Sequence, residues 1–236
     1  MSLWPAVGAG YERRQPAKGM DVVGERVWGW WRRQRAKRLD WVRARAIMHS
    51  AREMERLSEA ALDEQIGVVR AQAVVERGLP MAVDRAFAVG YEVIRRELGL
   101  SLHPEQVIGA LALSEGCCAE LATGEGKTVT AILPAAIDGW LGRGVHVITV
   151  NDYLARRDAA TTSPAFKRLG ISVGVLQDSS KPLERREAYL CDVTYAADKQ
   201  IVFDHLRDRL CAPLQPRLAG LLLDQLCGAT DGDWGR

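Results

Sequence analysis

Residues 121–128 read Leu121-Ala122-Thr123-Gly124-Glu125-Gly126-Lys127-Thr128, a glycine-bearing loop that ends in Gly-Lys-Thr. The apolar run Cys117, Cys118, Ala119 and Leu121 precedes it and predicts a strand near 118–121. A helix-forming run, 128–141, follows it. Strand, loop and helix in that order make a phosphate cradle. Gly124 and Gly126 let the backbone turn tightly around phosphate oxygens, where a Cβ would obstruct. The helix start turns free N–H groups and the positive end of its dipole toward an anion. Lys127 is placed to reach the β- and γ-phosphates of a nucleotide, and the Thr128 hydroxyl to bind Mg²⁺. The common loop pattern wants glycine where Leu121 stands. The bland alternative is an ordinary turn ahead of a helix.

Outward from the loop, the pattern alternates. A helix is expected around 106–113, then the strand, the loop and its helix. Val145–Val150 is a β-branched run of the kind found in buried parallel strands. Asn151 or Asp152 caps the next helix, expected to be interrupted at Pro164 and to end at Gly170. A strand over 171–176, a short helix over 183–190, a fourth strand over 193–195 and a helix over 197–210 come next. Such alternation predicts an α/β fold, a parallel sheet with helices on both faces. Ligands on such sheets lie beyond the carboxyl ends of the strands. Upstream the pattern is helical. Ser58 is placed to cap a helix reaching residue 76, and Gly99 to stop another that starts near Met81.

Composition narrows the class. With 236 residues and 26% charged side chains, the chain is large enough for one sizeable core. It has no run of eighteen apolar residues and no signal-like N-terminus. Its five cysteines, Cys117, Cys118, Cys191, Cys211 and Cys227, lack zinc-ligand spacing and read as reduced core thiols of a cytosolic protein. The net charge of +2 hides a split. Residues 1–56 hold thirteen Lys/Arg against six Asp/Glu, whereas the remainder is acidic.

That split points to an arm. Residues 1–20 carry Pro5, Pro16 and three glycines and are expected to be poorly ordered. Residues 21–80 read as an N-terminal helical region, with Val23, Val27, Trp30 and Trp31 on one helical face. Trp28, Trp30 and Trp31 stand next to Arg32, Arg33 and Arg35. Indole rings at headgroup depth with cations on acidic lipid suit an anionic membrane surface. A docked helix with a solvated basic face is the commoner alternative.

The blocks around the loop carry a resemblance. Thr123-Gly-Glu-Gly-Lys-Thr128 and Ile148-Thr-Val-Asn-Asp-Tyr-Leu-Ala-Arg-Arg-Asp158 resemble motifs of SecA, the bacterial preprotein translocase ATPase family. Leu98-Gly-Leu100, Glu105-Gln106, Ser114-Glu-Gly116, Asp192-Val-Thr-Tyr195 and Phe203-Asp-His-Leu-Arg-Asp208 are similar to further blocks of that family. The likeness covers roughly 54–210, and the chain reads as a divergent member. It departs from the family at Ser101, at Ala196-Ala-Asp198 and at His205.

The resemblance implies a P-loop (RecA/helicase-like) sheet domain over 81–236, the first nucleotide-binding domain of a motor, incomplete at its C-terminus. Gln106 would contact adenine. Thr123, Gly124, Glu125, Gly126, Lys127 and Thr128 would hold the phosphates of ATP, with Mg²⁺ on Thr128. Residues 151–157 would belong to a coupling surface. The implied partners are a membrane translocation channel, unfolded preprotein and an anionic lipid surface, with the protein on the cytoplasmic face of the inner membrane. Nucleic acid is not an expected partner, because the body is mildly acidic, and a helicase relative is the less favoured reading.

Hydrolysis in such motors also needs a strand-end carboxylate and arginines from a second domain. The one carboxylate candidate is Asp224, in Leu221-Leu-Leu-Asp224-Gln225. Helical spacing of Leu218, Leu221, Leu222 and Gln225 favours a connector there instead. The chain by itself is therefore expected to bind nucleotide weakly without useful turnover. The alternative class is a non-catalytic, membrane-peripheral nucleotide-binding module.

Overall fold

A computed structural model describes residues 41–76, 79–142 and 144–211. The ordering expected for 1–20, the arm residues Trp28, Trp30, Trp31, Arg32, Arg33 and Arg35, and Asp224 with its connector lie outside them. Most of the described residues belong to one compact unit, Leu39–His205.

Helix α1 covers 41–54. α2 (Glu59–Val75) starts where the Ser58 hydroxyl accepts from the Ala61 N–H at 3.3 Å, the expected cap. α3 (Pro80–Leu98) has proline at its first position and ends at Gly99, φ +66°, a backbone turn that glycine makes without strain. α4 (Pro104–Ser114) also starts on a proline, and the Gln106 side chain reaches back to accept from the His103 N–H at 2.8 Å. One turn, α5 (Lys127–Thr130), and α6 (Ile132–Trp140) together replace the single helix expected over 128–141. The break has a cause: Pro134 has no N–H to give the Thr130 carbonyl.

β1 (Val145–Thr149), β2 (Val173–Val175) and β3 (Val193–Ala197) form one parallel sheet in the order β1-β3-β2. Val193 stands in register with both Val145 and Val173. α7 (Asp152–Arg168), α8 (Pro182–Leu190) and α9 (Asp198–Cys211) connect and follow the strands. The fold is α/β.

Helices cover both faces, and two neighbouring residues of β3 show it. Successive strand residues point to opposite sides of a sheet. The Tyr195 hydroxyl lies 2.9 Å from Thr162 Oγ1 of α7, whereas Thr194 Oγ1 donates to the Ala188 carbonyl of α8 at 2.7 Å. Right-handed crossovers in opposite directions along the sheet require this arrangement. Burial pushes the Tyr195 phenol up to about 12, so it stays neutral and its proton remains available for the bond.

Two expectations fail. No strand forms at 118–121; the segment 117–122 is irregular. Cys117, Cys118 and Glu120 are exposed there, and apolar content without a ladder partner does not make a strand. Nor does Pro164 interrupt α7, which runs through it. The carbonyl deprived of a partner is that of Ala160, on the exposed side, while Ala155, Ala159, Thr162 and Phe166 hold the opposite side in the core.

Two charged centres tie the helices together. Glu92 of α3 is fully buried and accepts from Arg95 Nε at 2.8 Å and Arg96 Nε at 2.6 Å of the same helix, and Arg96 Nη2 donates to the Met54 carbonyl of α1 at 3.1 Å. Arg168, in the last turn of α7, bonds Glu59, reaches Asp63 of α2 at 3.2 Å and Glu97 of α3 at 2.8 Å.

Two measurements probe this packing. A Cβ built on Gly174 would lie 2.5 Å from the Ala188 carbonyl oxygen and 2.7 Å from its Cα, so β2 and α8 would have to separate. Gly174→Ala should cost about 2 kcal/mol or more in denaturant unfolding. Burial works to raise the Glu92 pKa, but the two arginines outweigh it and hold the carboxyl below its ordinary 4.5. A lowered carboxyl contributes stability that is present above the unfolded value and is lost as pH falls through the folded one. Glu92→Gln should therefore cost about 3 kcal/mol at neutral pH, since it leaves two guanidiniums short of a partner. That deficit should shrink on acidification below pH 4.5, read as the difference between wild-type and variant denaturation midpoints.

Candidate functional site

The loop at 122–127 is held closed from within. The Ala122 carbonyl accepts from the Glu125 N–H at 3.3 Å and from Lys127 Nζ at 3.1 Å. Gly124 and Gly126 adopt φ of +90° and +76°, the left-handed region that an L side chain enters only with strain. Space differs between the two. A Cβ on Gly124 meets nothing within 4 Å, but one on Gly126 would collide with Gln106 Nε2. The first glycine is needed for its conformation, the second for conformation and for room.

Gln106 explains the crowding. Its Nε2 donates to the Glu125 carbonyl at 2.8 Å while its Oε1 accepts from His103 N–H. A glutamine on α4 is thus strapped across the loop at the glycine nearest the lysine. The structure brings Gln106, Glu125, Gly126 and Lys127 together.

Beyond Gly126, the first N–H groups of α5 point out of the helix with no intrahelical acceptor. Thr130 Oγ1 ties back to the Gly126 carbonyl at 3.1 Å and fixes that turn. The Thr128 hydroxyl faces α7, where it lies 3.3 Å from Asp158 Oδ2. Asp158 is buried, and its other oxygen accepts from Arg157 Nε at 2.9 Å and Nη2 at 2.7 Å. In the sequence, Asp158 stands only at the end of a motif string and carries no assigned role. A signal was present: Ala155, Asp158, Ala159 and Thr162 fall at i, i+3, i+4 and i+7, and all four are buried. A carboxylate on the core face of a helix needs a reason.

Asn151 caps α7, its Oδ1 accepting from the Leu154 N–H at 2.9 Å, while Tyr153 is 72% exposed. The stretch 151–157 therefore combines a helix start with a free aromatic surface. Among the described residues no group of three or more His, Cys, Asp or Glu could hold a metal ion, and no helix is long and apolar enough to cross a membrane.

Comparison with known proteins bears on this geometry. The family model for the SecA DEAD-like domain matches residues 25–221. The protein translocase subunit SecA of Cyanothece sp. is 43% identical over 162 residues, covering 69% of this chain and 17% of that protein. The chloroplastic translocase subunit SECA1 of Arabidopsis thaliana is 42% identical over 163 residues, 69% of this chain and 16% of that one. Thermus thermophilus SecA is 50% identical over 138 residues, 58% and 13% respectively. The chain spans 13–17% of the length of these curated relatives.

Proposed function

This chain belongs to the SecA DEAD-like domain family, and from that premise we propose that it is the nucleotide-binding portion of a SecA-like motor, one that couples ATP hydrolysis to the movement of unfolded preproteins through a membrane channel. The carrying observation is the loop that leaves two left-handed glycines and sets Lys127 and Thr128 side by side, with Gln106 bonded across it. Lys127 donates to a carbonyl of its own loop. A phosphate chain offers that ammonium a full negative charge instead, so the lysine would exchange a neutral partner for an ionic one. The freed Ala122 carbonyl stays at the loop entrance, where solvent reaches it. Gln106 lies beside the phosphate loop and has both an acceptor and donors to present to a base edge.

Magnesium fits the donor chemistry. The Thr128 hydroxyl and the Asp158 carboxylate behind it are hard oxygen groups, the kind Mg²⁺ takes in phosphate sites together with phosphate oxygens and water. Bound there, the ion would neutralise charge on the transferring phosphoryl group.

The arm belongs to the same reading. Trp28, Trp30, Trp31, Arg32, Arg33 and Arg35 supply rings and cations for the anionic cytoplasmic face of the inner membrane, where a translocation channel is met.

Lys127→Ala should weaken ADP and ATP binding at least about tenfold in calorimetry, with unchanged far-ultraviolet circular dichroism; equal binding by both proteins removes the loop from the account. The chain by itself should release little phosphate; robust Lys127-dependent release would mean that Asp224 or a second chain completes the site. Anionic vesicles should co-sediment the chain more strongly than neutral ones, each basic residue contributing about 1 kcal/mol, and salt should weaken the binding. Equal binding to neutral vesicles removes the electrostatic part.

A further inference from the structure

We propose that Asp158 is a positioning residue for the cation at the phosphate loop: it takes the Thr128 proton and so turns the hydroxyl's lone pairs toward the metal. The inference rests on the nucleotide-binding reading of that loop.

A threonine hydroxyl has one proton and two lone pairs, and it can serve a cation only with a lone pair. Its proton must then go to another acceptor. Within an α-helix the usual acceptor is a carbonyl one turn back, as Thr130 illustrates by bonding Gly126. Thr128 does otherwise. Its Oγ1 lies 3.3 Å from Oδ2 of Asp158, thirty residues away on another helix. An ionised carboxylate has no proton to give, so the direction of this bond is fixed: Thr128 donates, and both its lone pairs remain on the side away from α7.

Asp158 is built to hold that orientation. It is 9% exposed, and its Oδ1 is taken by the Arg157 guanidinium at 2.9 and 2.7 Å, which leaves Oδ2 alone for Thr128. Its backbone is fixed too. The Asp158 carbonyl accepts from Thr162 Oγ1 at 2.8 Å, and Thr162 in turn meets Tyr195 of the central strand. A carboxylate anchored to the sheet therefore points at the hydroxyl proposed to hold the ion. Its negative charge directly behind that hydroxyl also favours a dication in front of it.

A purely restraining contact predicts something different. If the Thr128–Asp158 bond only keeps the loop shut, nucleotide has to break it, and removing Asp158 would strengthen binding. The measurement is ADP affinity by calorimetry in Mg²⁺ and in EDTA, expressed as the ratio of the two. Wild type is compared with Asp158→Ala, Asp158→Asn and Thr128→Val, with Lys127→Ala as the control for the loop. The expected result is that Asp158→Ala lowers the Mg²⁺/EDTA ratio by about tenfold or more, the scale of one hydrogen bond to a charged group. Thr128→Val should lower it equally, and the double variant no further. Asp158→Asn keeps an acceptor oxygen and the side-chain volume, so it should fall between, and it carries the test if the alanine variant melts below assay temperature. An unchanged ratio, or tighter Mg²⁺·ADP binding by either Asp158 variant, overturns the proposal. Binding that persists in Lys127→Ala overturns the loop reading itself. That failure is recognisable because it appears in EDTA as well as in Mg²⁺.

Discussion

The pleat of β3 is the constraint from which the unit is built. Val193–Ala197 is buried along its whole length, lies between the other two strands, and must satisfy polar side chains on both faces. Thr194 settles one face on α8 and Tyr195 the other on α7. The Tyr195 bond holds α7 against rotation, because a turn about its axis would leave the buried Tyr195 hydroxyl without its partner. The position of Asp158 relative to the phosphate loop follows from that fixed orientation. The site's geometry is thus inherited from the sheet, although no residue of the loop belongs to a strand.

Much of this was legible in the residues. Caps and breakers located the helices: Ser58, Gly99 and Asn151 mark starts and stops that the structure keeps. β-branched runs located all three strands. The failures share one cause. A strand is defined by its neighbour, and nothing in Cys117–Leu121 says whether a neighbour exists. A proline breaks a helix only when packing does not hold the helix through it, and the alanine, threonine and phenylalanine face of α7 does so. At the site, the two glycines and Lys127 carry a local signal, whereas Gln106 stands out only through the family resemblance. The pairing of Thr128 with Asp158 could not, because it joins two helices through space.

The loop satisfies itself. Lys127 rests on Ala122, Thr128 on Asp158 and Gln106 on Glu125, so three of the side chains assigned to nucleotide are already bonded to protein. These contacts lie at or near the upper length for good hydrogen bonds in two cases and replace water rather than empty space, so each contributes little net stability. Exchange of the Lys127 and Gln106 contacts for nucleotide is correspondingly inexpensive, whereas the Thr128–Asp158 bond is kept, and the loop holds its shape through its own bonds.

Arg168 carries a consequence of another kind. One guanidinium from the end of α7 gathers carboxylates from α2 and α3. Burial works against its charge, but Glu97 and Glu59 outweigh that and hold it firmly protonated. The amino-terminal helices are therefore not a detachable collar around the sheet. Loosening α2 takes two of three carboxylates from the mostly buried Arg168, so the opening of α2 is coupled to that of α7. Amide hydrogens in these distant stretches of sequence would exchange with solvent at one common rate, as members of the same cooperative foldon.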